Sequence, residues 1–173
     1  MSFNITKTIE ILERTPKTLK SLLLGVSKEW IYNNEGENTW SPYEIVGHLI
    51  HGEKTDWIPR AKIILSNSEN KTFEPFDRFA QNKVEKKPID ELIKEFENLR
   101  KNNIKTLKSF QIDTNKLMQK GIHPELGDVN LKQLLSAWVV HDLGHIAQIS
   151  RVMAKQYDKE VGVWKEYLGV LNK

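Results

Sequence analysis

Apolar residues recur at three- and four-residue steps along most of this chain, with polar residues between them. Such spacing places the apolar side chains on one face of an α-helix. No segment of any length shows the two-residue period of a strand, and no internal repeat is found. The pattern predicts an all-α four-helix bundle, a single domain over residues 1–173. The apolar faces of its four helices run from Ile5 to Val26, Ile45 to Ile64, Ile89 to Phe110 and Leu134 to Val152.

Two of the predicted helices begin with strong capping signals. Ser41 is followed by proline and, three residues after the serine, by Glu44, which is the pattern of a capping box with proline at the first helical position. Asn130 and Gln133 have the same spacing at the start of the fourth helix. These signals predict where the second and fourth helices begin.

Two prolines lie inside helical patterns. Pro16 follows Thr15 in the first helix, and proline removes a backbone hydrogen bond and clashes with the preceding turn. We therefore expect a kink or a new helix start at Pro16. Pro59 predicts a bend near Asp56 in the second helix.

A long polar connection and a short tail complete the pattern. Residues 66–87 join the second and third helices, and a connection of this length would let these two helices run parallel. After Tyr157 the apolar spacing predicts a short C-terminal helix.

Composition excludes several classes of protein. The chain has 26 basic and 23 acidic side chains among 173 residues, and this net charge of +3 is interspersed, which gives no reason to expect nucleic acid as a partner. Cysteine is absent, so the chain offers no disulfide, thiolate ligand or cysteine nucleophile. We see neither a signal peptide nor a run of about eighteen apolar residues that would span a membrane. We expect a cytoplasmic protein.

The candidate chemistry lies in the histidines. His141 and His145 stand one turn apart on the apolar face of the fourth helix, so both imidazoles can reach one metal ion. His48 borders the apolar face of the second helix and adds a third nitrogen if the two helices are neighbours. Three protein ligands with open positions are typical of a catalytic zinc site. We predict a metal site formed by His48, His141 and His145.

Other interpretations of the histidines stay open. His51, three residues after His48, can compete as the third ligand. All of these histidines can also be core residues that hydrogen-bond to their neighbours and bind no metal. Zinc is the first choice of metal, while nickel, iron and manganese also bind nitrogen ligands.

Residues around the histidines receive supporting roles. Glu44, Glu53 and Gln148 are candidates to orient a ligand imidazole by accepting its second N–H. Trp138, one turn before His141, should line any cavity at the metal. Asp142 occupies the glutamate position of an HExxH zinc motif, but it is shorter and no third ligand follows, so we expect a surface carboxylate. The inward glutamates of a ferritin-like di-iron bundle are absent.

Four segments resemble the DinB/YfiT-like superfamily of metal-dependent enzymes. They are WSPYEIVGHLIHGEKTDW (40–57), FEPFDRFAQ (73–81), HPELG (123–127) and WVVHDLGHIAQISRVMAKQY (138–157). The resemblance covers nearly the whole chain and is most specific in the two histidine-bearing helices. It implies an up-down-down-up bundle and a divalent metal held by His48, His141 and His145. It also implies a homodimer, which superfamily members often form.

The resemblance also suggests a type of reaction. Members with assigned chemistry use a low-molecular-weight thiol, such as bacillithiol, mycothiol or glutathione, in S-transfer or isomerisation. It therefore implies a thiol S-transferase or a hydrolase with a small-molecule substrate, acting through metal-bound thiolate or water. Because the chain has no cysteine, the thiol would come from a separate cofactor. The alternative is a helical metal-binding or interaction module without turnover.

The connection formed by residues 66–87 follows directly on the helix that carries His48. We expect it to cover the mouth of the metal site. Its phenylalanines can form an apolar wall, and Arg78 offers a positive charge for a carboxylate of the substrate or thiol. The alternative is a structural connection whose phenylalanines close one end of the core.

Overall fold

The computed structural model describes residues 2–172, most of which form helices that pack as a bundle. In chain order the helices are α1 (Ile5–Leu23), α2 (Lys28–Tyr32), α3 (Pro42–Thr55), α4 (Trp57–Leu65), α5 (Ile89–Ser109), α6 (Thr114–Met118) and α7 (Leu131–Lys155). Two short strands, β1 (Lys120–His123) and β2 (Gly127–Asn130), precede α7. Short 3₁₀ helices span Ala80–Lys83, Gly162–Tyr167 and Gly169–Leu171. Among residues 2–172, no helix has the length and apolar character needed to cross a bilayer.

The apolar core shows the direction of each long helix, because its two ends contain different parts of the same helices. Leu12, Leu107 and Leu134 lie at one end, and Leu23, Phe96 and Ile149 lie at the other. Ile45, near the start of α3, belongs to the second end. Consequently α5 runs antiparallel to α1, α3 runs parallel to α5, and α7 runs parallel to α1. The predicted up-down-down-up four-helix bundle with one long crossover connection is confirmed.

Both predicted capping boxes are present. The Ser41 hydroxyl accepts a hydrogen bond from the Glu44 backbone N–H, and the Glu44 carboxylate accepts one from the Ser41 N–H at 2.8 Å. Asn130 and Gln133 make the equivalent pair of bonds, each 2.9 Å long. The two histidine-bearing helices therefore begin at the residues that the sequence indicated.

The predicted new helix start at Pro16 is wrong, because α1 continues through it. Proline has no N–H to donate to the Leu12 carbonyl one turn earlier. That carbonyl instead accepts a hydrogen bond from Nη1 of the buried Arg100 at 2.8 Å. The guanidinium thus replaces the missing backbone donor. The bend near Asp56 is confirmed, since α3 ends at Thr55 and α4 begins after Asp56.

The segments around α7 add detail to the predicted pattern. β1 and β2 form an antiparallel hairpin, which the sequence analysis did not find because strands of four residues are too short to show a period. The C-terminal helix occurs as two short 3₁₀ helices. Leu171 is buried there, whereas Trp164 and Tyr167 are exposed.

Candidate metal centre

Three histidine side chains meet between α3 and α7. His48 Nε2 lies 3.1 Å from His141 Nε2, which in turn lies 3.1 Å from His145 Nε2. One ring nitrogen from each residue lies within 4.8 Å of the others. Nitrogen ligands of a tetrahedral zinc ion, at about 2.0–2.1 Å from the metal, are separated by about 3.3 Å. The observed spacing therefore fits a single ion after small side-chain adjustments.

Burial favours the neutral form of these imidazoles. Burial and then the neighbouring His145 lower the pKa of His48 to about 4 and that of His141 to about 3. Burial also lowers the pKa of His145, although Gln148 and Asp142 act in the opposite direction. A metal binds neutral imidazole, so at neutral pH all three side chains are in the form that can act as ligands.

The tautomer of His145 is determined by a neighbouring amide. Gln148 Oε1 lies 2.8 Å from His145 Nδ1 and can only accept, so Nδ1 carries the proton and Nε2 presents its lone pair to the other rings. Within residues 2–172, the buried Nδ1 atom of His141 has no hydrogen-bond partner. Three converging nitrogens repel one another unless a proton or a cation lies between them. These residues therefore fit a divalent metal ion.

The remaining predicted supporting residues lie farther from the imidazoles. Glu44 takes part in the capping box, and Glu53 bonds to buried groups behind the histidines. Trp138 stacks on Trp57 at 5.7 Å between ring centroids, and it is Trp57 that contacts His141, at 5.1 Å. Of the three candidates for orienting an imidazole, Gln148 is the one placed beside a ligand ring.

His51 stays outside the group of three histidines. Its ring contacts Phe76 at a centroid distance of 4.9 Å, and the α3 histidine whose ring nitrogen lies near those of His141 and His145 is His48. His123 lies in the hairpin, where its Nδ1 accepts hydrogen bonds from the backbone N–H groups of Glu125 and Leu126. His123 is therefore a turn residue.

Aromatic rings lie around the histidines: Trp40, for which the sequence predicted no role, and Phe76 and Phe79, which belong to the connection predicted to form an apolar wall. Trp40 lies 4.8 Å from the His48 ring and 6.5 Å from the His145 ring. Phe76 meets His48 edge-on at 5.4 Å, and Phe79 meets Trp40 edge-on at 6.1 Å. The position of Trp40 directly before the helix cap was a usable signal, because an apolar residue there packs back onto the first turns.

The expectation that Asp142 is a surface carboxylate is wrong. Its side chain is completely buried and pairs with Arg100. The signal was its position seven residues after Leu135 and seven before Ile149, which are both buried on the same face of α7. Arg100 was given no role from the sequence, because a lone arginine in a helix is usually exposed.

The connection of residues 66–87 lies against the histidines. Besides the Phe76 contact, the Arg78 guanidinium lowers the pKa of His48, after the larger effects of burial and of the neighbouring histidines. Gln81 packs so tightly on α3 that a Cβ added to Gly47 would lie 2.9 Å from the Gln81 Cβ. The Tyr43 hydroxyl holds the end of the connection, donating to the Lys87 carbonyl at 2.9 Å and accepting from its N–H at 3.0 Å.

Four long helices, with three converging histidines on two of them, define a helical-bundle protein with a candidate metal centre. The sequence profile of the DinB superfamily matches residues 11–149, which include all three histidines. This chain belongs to the DinB superfamily.

Comparison with solved structures agrees with this assignment. YfiT from Bacillus subtilis, described as "a probable metal-dependent hydrolase with an unusual four-helix bundle topology", matches with a TM-score of 0.75 and 18% sequence identity. The match covers 91% of this chain and 91% of that chain. At this identity the likeness establishes the fold. No curated protein matches the chain.

Proposed function

We propose that this protein is a metal-dependent enzyme that acts on a small molecule at an open three-histidine site. The observation that carries the proposal is the convergence of three neutral imidazoles from α3 and α7. A divalent ion held by His48, His141 and His145 would supply a Lewis acid that lowers the pKa of a bound water or thiol. Zinc is the first choice, and nickel, iron or manganese would accept the same ligands.

The surrounding residues have separate tasks in this proposal. Gln148 keeps the His145 ring in the orientation that turns Nε2 to the ion. Trp40 and Phe76 cover His48 with apolar rings and limit the access of water. Arg78, which acts electrostatically on His48, would attract a negatively charged group of the substrate.

Hydrolysis is the first reaction to test, because the structurally similar YfiT is described as a probable metal-dependent hydrolase. Thiol S-transfer is the second. The chain has no cysteine, so a low-molecular-weight thiol would have to bind as a separate cofactor, and Arg78 is suited to a carboxylate of such a thiol.

Elemental analysis of protein purified without an affinity tag tests the metal. We expect about one divalent ion per chain, as one three-ligand site requires. Protein that contains no metal, and takes up none of zinc, nickel, iron or manganese on dialysis, would refute the proposal.

Turnover assays then separate the reactions. The metal-loaded protein is incubated with an ester and amide series, and separately with a low-molecular-weight thiol and an electrophile. Release of acid in the first assay indicates a hydrolase, and thioether formation in the second indicates an S-transferase. Metal binding without turnover in either assay favours the alternative, a non-catalytic metal-binding bundle.

A further inference from the structure

A buried ion cluster lies behind the histidines and is not explained by the proposed ligand set. Arg100, with 1% of its surface exposed, donates from Nη1 to Asp142 Oδ2 at 2.6 Å and from Nη2 to Asp142 Oδ1 at 3.0 Å. Nη2 also donates to Glu53 Oε1 at 2.8 Å. The exposures of Glu53 and Asp142 are 2% and 0%. One guanidinium therefore serves two carboxylates in the interior.

Neutral groups complete this cluster and connect it to all of the long helices. The Thr15 hydroxyl of α1 donates to Asp142 at 2.6 Å, and Asn103 of α5 donates to Glu53 at 2.9 Å. The Trp138 indole of α7 donates to Glu53 at 3.2 Å. With Glu53 on α3, every long segment of the bundle except α4 contributes a group.

The cluster carries an excess negative charge. Two carboxylates and one guanidinium give a formal charge of −1, and no other basic side chain among residues 2–172 forms an ion pair with Glu53 or Asp142. An uncompensated buried charge is costly. The three neutral histidines, by contrast, add no charge to offset that of a divalent ion. The excess charge of the cluster is negative and that of a divalent ion held by the histidines would be positive, so the two charges are opposite in sign.

The two groups are close enough to interact. Asp142 directly follows the ligand candidate His141 on α7. Burial lowers the pKa of both His141 and His145, and the charges of the cluster act on these rings as well: Arg100 lowers the pKa of His141 further, and Asp142 opposes the lowering at His145. A chain of contacts also joins Glu53 to His141: Trp138 donates to Glu53 and stacks on Trp57, which contacts the His141 ring.

We propose that the cluster of Glu53, Arg100 and Asp142 serves the metal centre by offsetting the charge of the bound ion and by holding α3 and α7 in the register that brings His48 to His141. The inference rests on the proposed metal-dependent function. The three side chains act through the ligands, as positioning and charge-compensating residues. Groups that hydrogen-bond to metal ligands typically change metal affinity roughly 10–100-fold when they are altered, and these carboxylates, which act through charge and helix position, should fall at the lower end of that range.

The test replaces each carboxylate with its neutral isostere, Glu53→Gln or Asp142→Asn. Both variants remove the excess charge and keep one carbonyl oxygen as an acceptor, but their amide nitrogen cannot accept the bond that the second carboxylate oxygen accepts from Arg100 or Asn103. The matched control is Glu35→Gln, which removes a largely buried glutamate that pairs with Arg151 and Lys155. Zinc affinity is measured by competition with a chelator at a temperature where every protein is folded, and thermal unfolding is measured without metal.

We expect zinc binding to weaken about tenfold in Glu53→Gln and Asp142→Asn, the lower end of that range. Their metal-free thermal stability should be lower, because the amide nitrogen leaves a buried donor of Arg100 or Asn103 without its acceptor, and Glu35→Gln should keep the parent's zinc affinity. A purely structural cluster would also lower the stability, but it would leave the zinc affinity of the folded protein unchanged.

Failure of this inference can be distinguished from failure of the proposed function. If the parent protein binds no zinc or other divalent metal, both the proposed function and this inference are refuted. If the parent binds zinc and both variants bind it within twofold of the parent, this inference alone is overturned. Failure of both variants to fold would also overturn it, since the cluster would then be required for folding itself.

Discussion

At the scale of single residues, His141 is the centre of the candidate site. Both other Nε2 atoms lie 3.1 Å from its Nε2, so it is the histidine that touches each partner. His141→Ala should weaken zinc binding by more than the roughly 100-fold typical of residues behind the ligands, because two nitrogens do not fix the geometry of the ion. Chelator competition measures the change. His123→Ala, in the hairpin, is the control, and equal affinity in His141→Ala and the parent would disprove the site.

Arg78 is the residue whose charge acts on the site from the connection. Within residues 2–172 it forms no ion pair, although it lies near enough to lower the pKa of His48. A free guanidinium can form charge-assisted hydrogen bonds with a carboxylate. Arg78→Ala should therefore bind a small carboxylate such as phenylacetate about tenfold more weakly while keeping its metal.

Calorimetry on the metal-loaded protein measures this affinity. Lys83→Ala removes a cation of the same connection that is already paired with Asp77, and it should bind phenylacetate like the parent. Equal losses in the two variants would show a general effect of surface charge instead of recognition by Arg78.

At the scale of elements, the connection between α4 and α5 is held at both ends, while one side-chain amide in its middle lacks hydrogen-bond partners. Phe73 is buried and its N–H donates to the Ile122 carbonyl, and Tyr43 binds Lys87. Between these points, both polar atoms of the Gln81 carboxamide are buried without a partner among residues 2–172. Because hydration on opening would satisfy this amide, the closed position costs free energy that an open one would not.

A disulfide lock tests whether this connection controls access to the metal. The chain has no cysteine, so Gly47→Cys with Gln81→Cys introduces a single possible pair. The connection must move slightly, since the Cβ separation of 2.9 Å is below the about 3.5–4.5 Å of a disulfide. Oxidation should slow metal removal by a chelator several-fold, and reduction should restore it. Single Gln81→Cys is the control, and identical rates in both redox states would contradict a gate.

The helices differ in how much of their structure could be predicted from the sequence. Local geometry determines the effect of the cap residues Ser41 and Asn130 and of the spacing of His141 and His145. The starts of the histidine-bearing helices and two candidate ligands could therefore be predicted. The continuity of α1 could not, because the group that replaces the missing donor of Pro16 is Arg100, far away in sequence. The burial of Asp142 was not predicted for the same reason, since its partners belong to α1 and α5.

At the scale of the whole molecule, the buried histidines make the metal-free fold sensitive to acid. Unfolded histidines take up protons near pH 6.5, whereas folded His48 and His141 do so only near 4 and 3. The unfolded state thus binds more protons between these values. The contribution of these histidines to the free energy of unfolding should be fully present above about pH 6.5. Below that pH the free energy of unfolding should fall by up to about 1.4 kcal/mol per pH unit for each histidine.

Urea unfolding of the metal-free protein at about pH 7 and about pH 5 measures this slope. His141→Ala removes one of the two strongly shifted groups and should lessen the pH dependence, while His123→Ala should leave it nearly unchanged. A slope that is the same in all three proteins would show that the buried histidines do not set the acid sensitivity.

The two capping boxes have a consequence for how the length of this protein can vary. His48 follows its cap residue by seven positions and His141 follows its own by eleven, which is close to two and three whole turns of a helix. One residue inserted between Trp138 and His141 would rotate the histidines by about 100° relative to the apolar residues before them. Four inserted residues would nearly restore the direction while shifting the ligands by about 6 Å along α7. Relatives that keep this site should therefore differ in length in the connections and conserve the number of residues from each cap to its histidine.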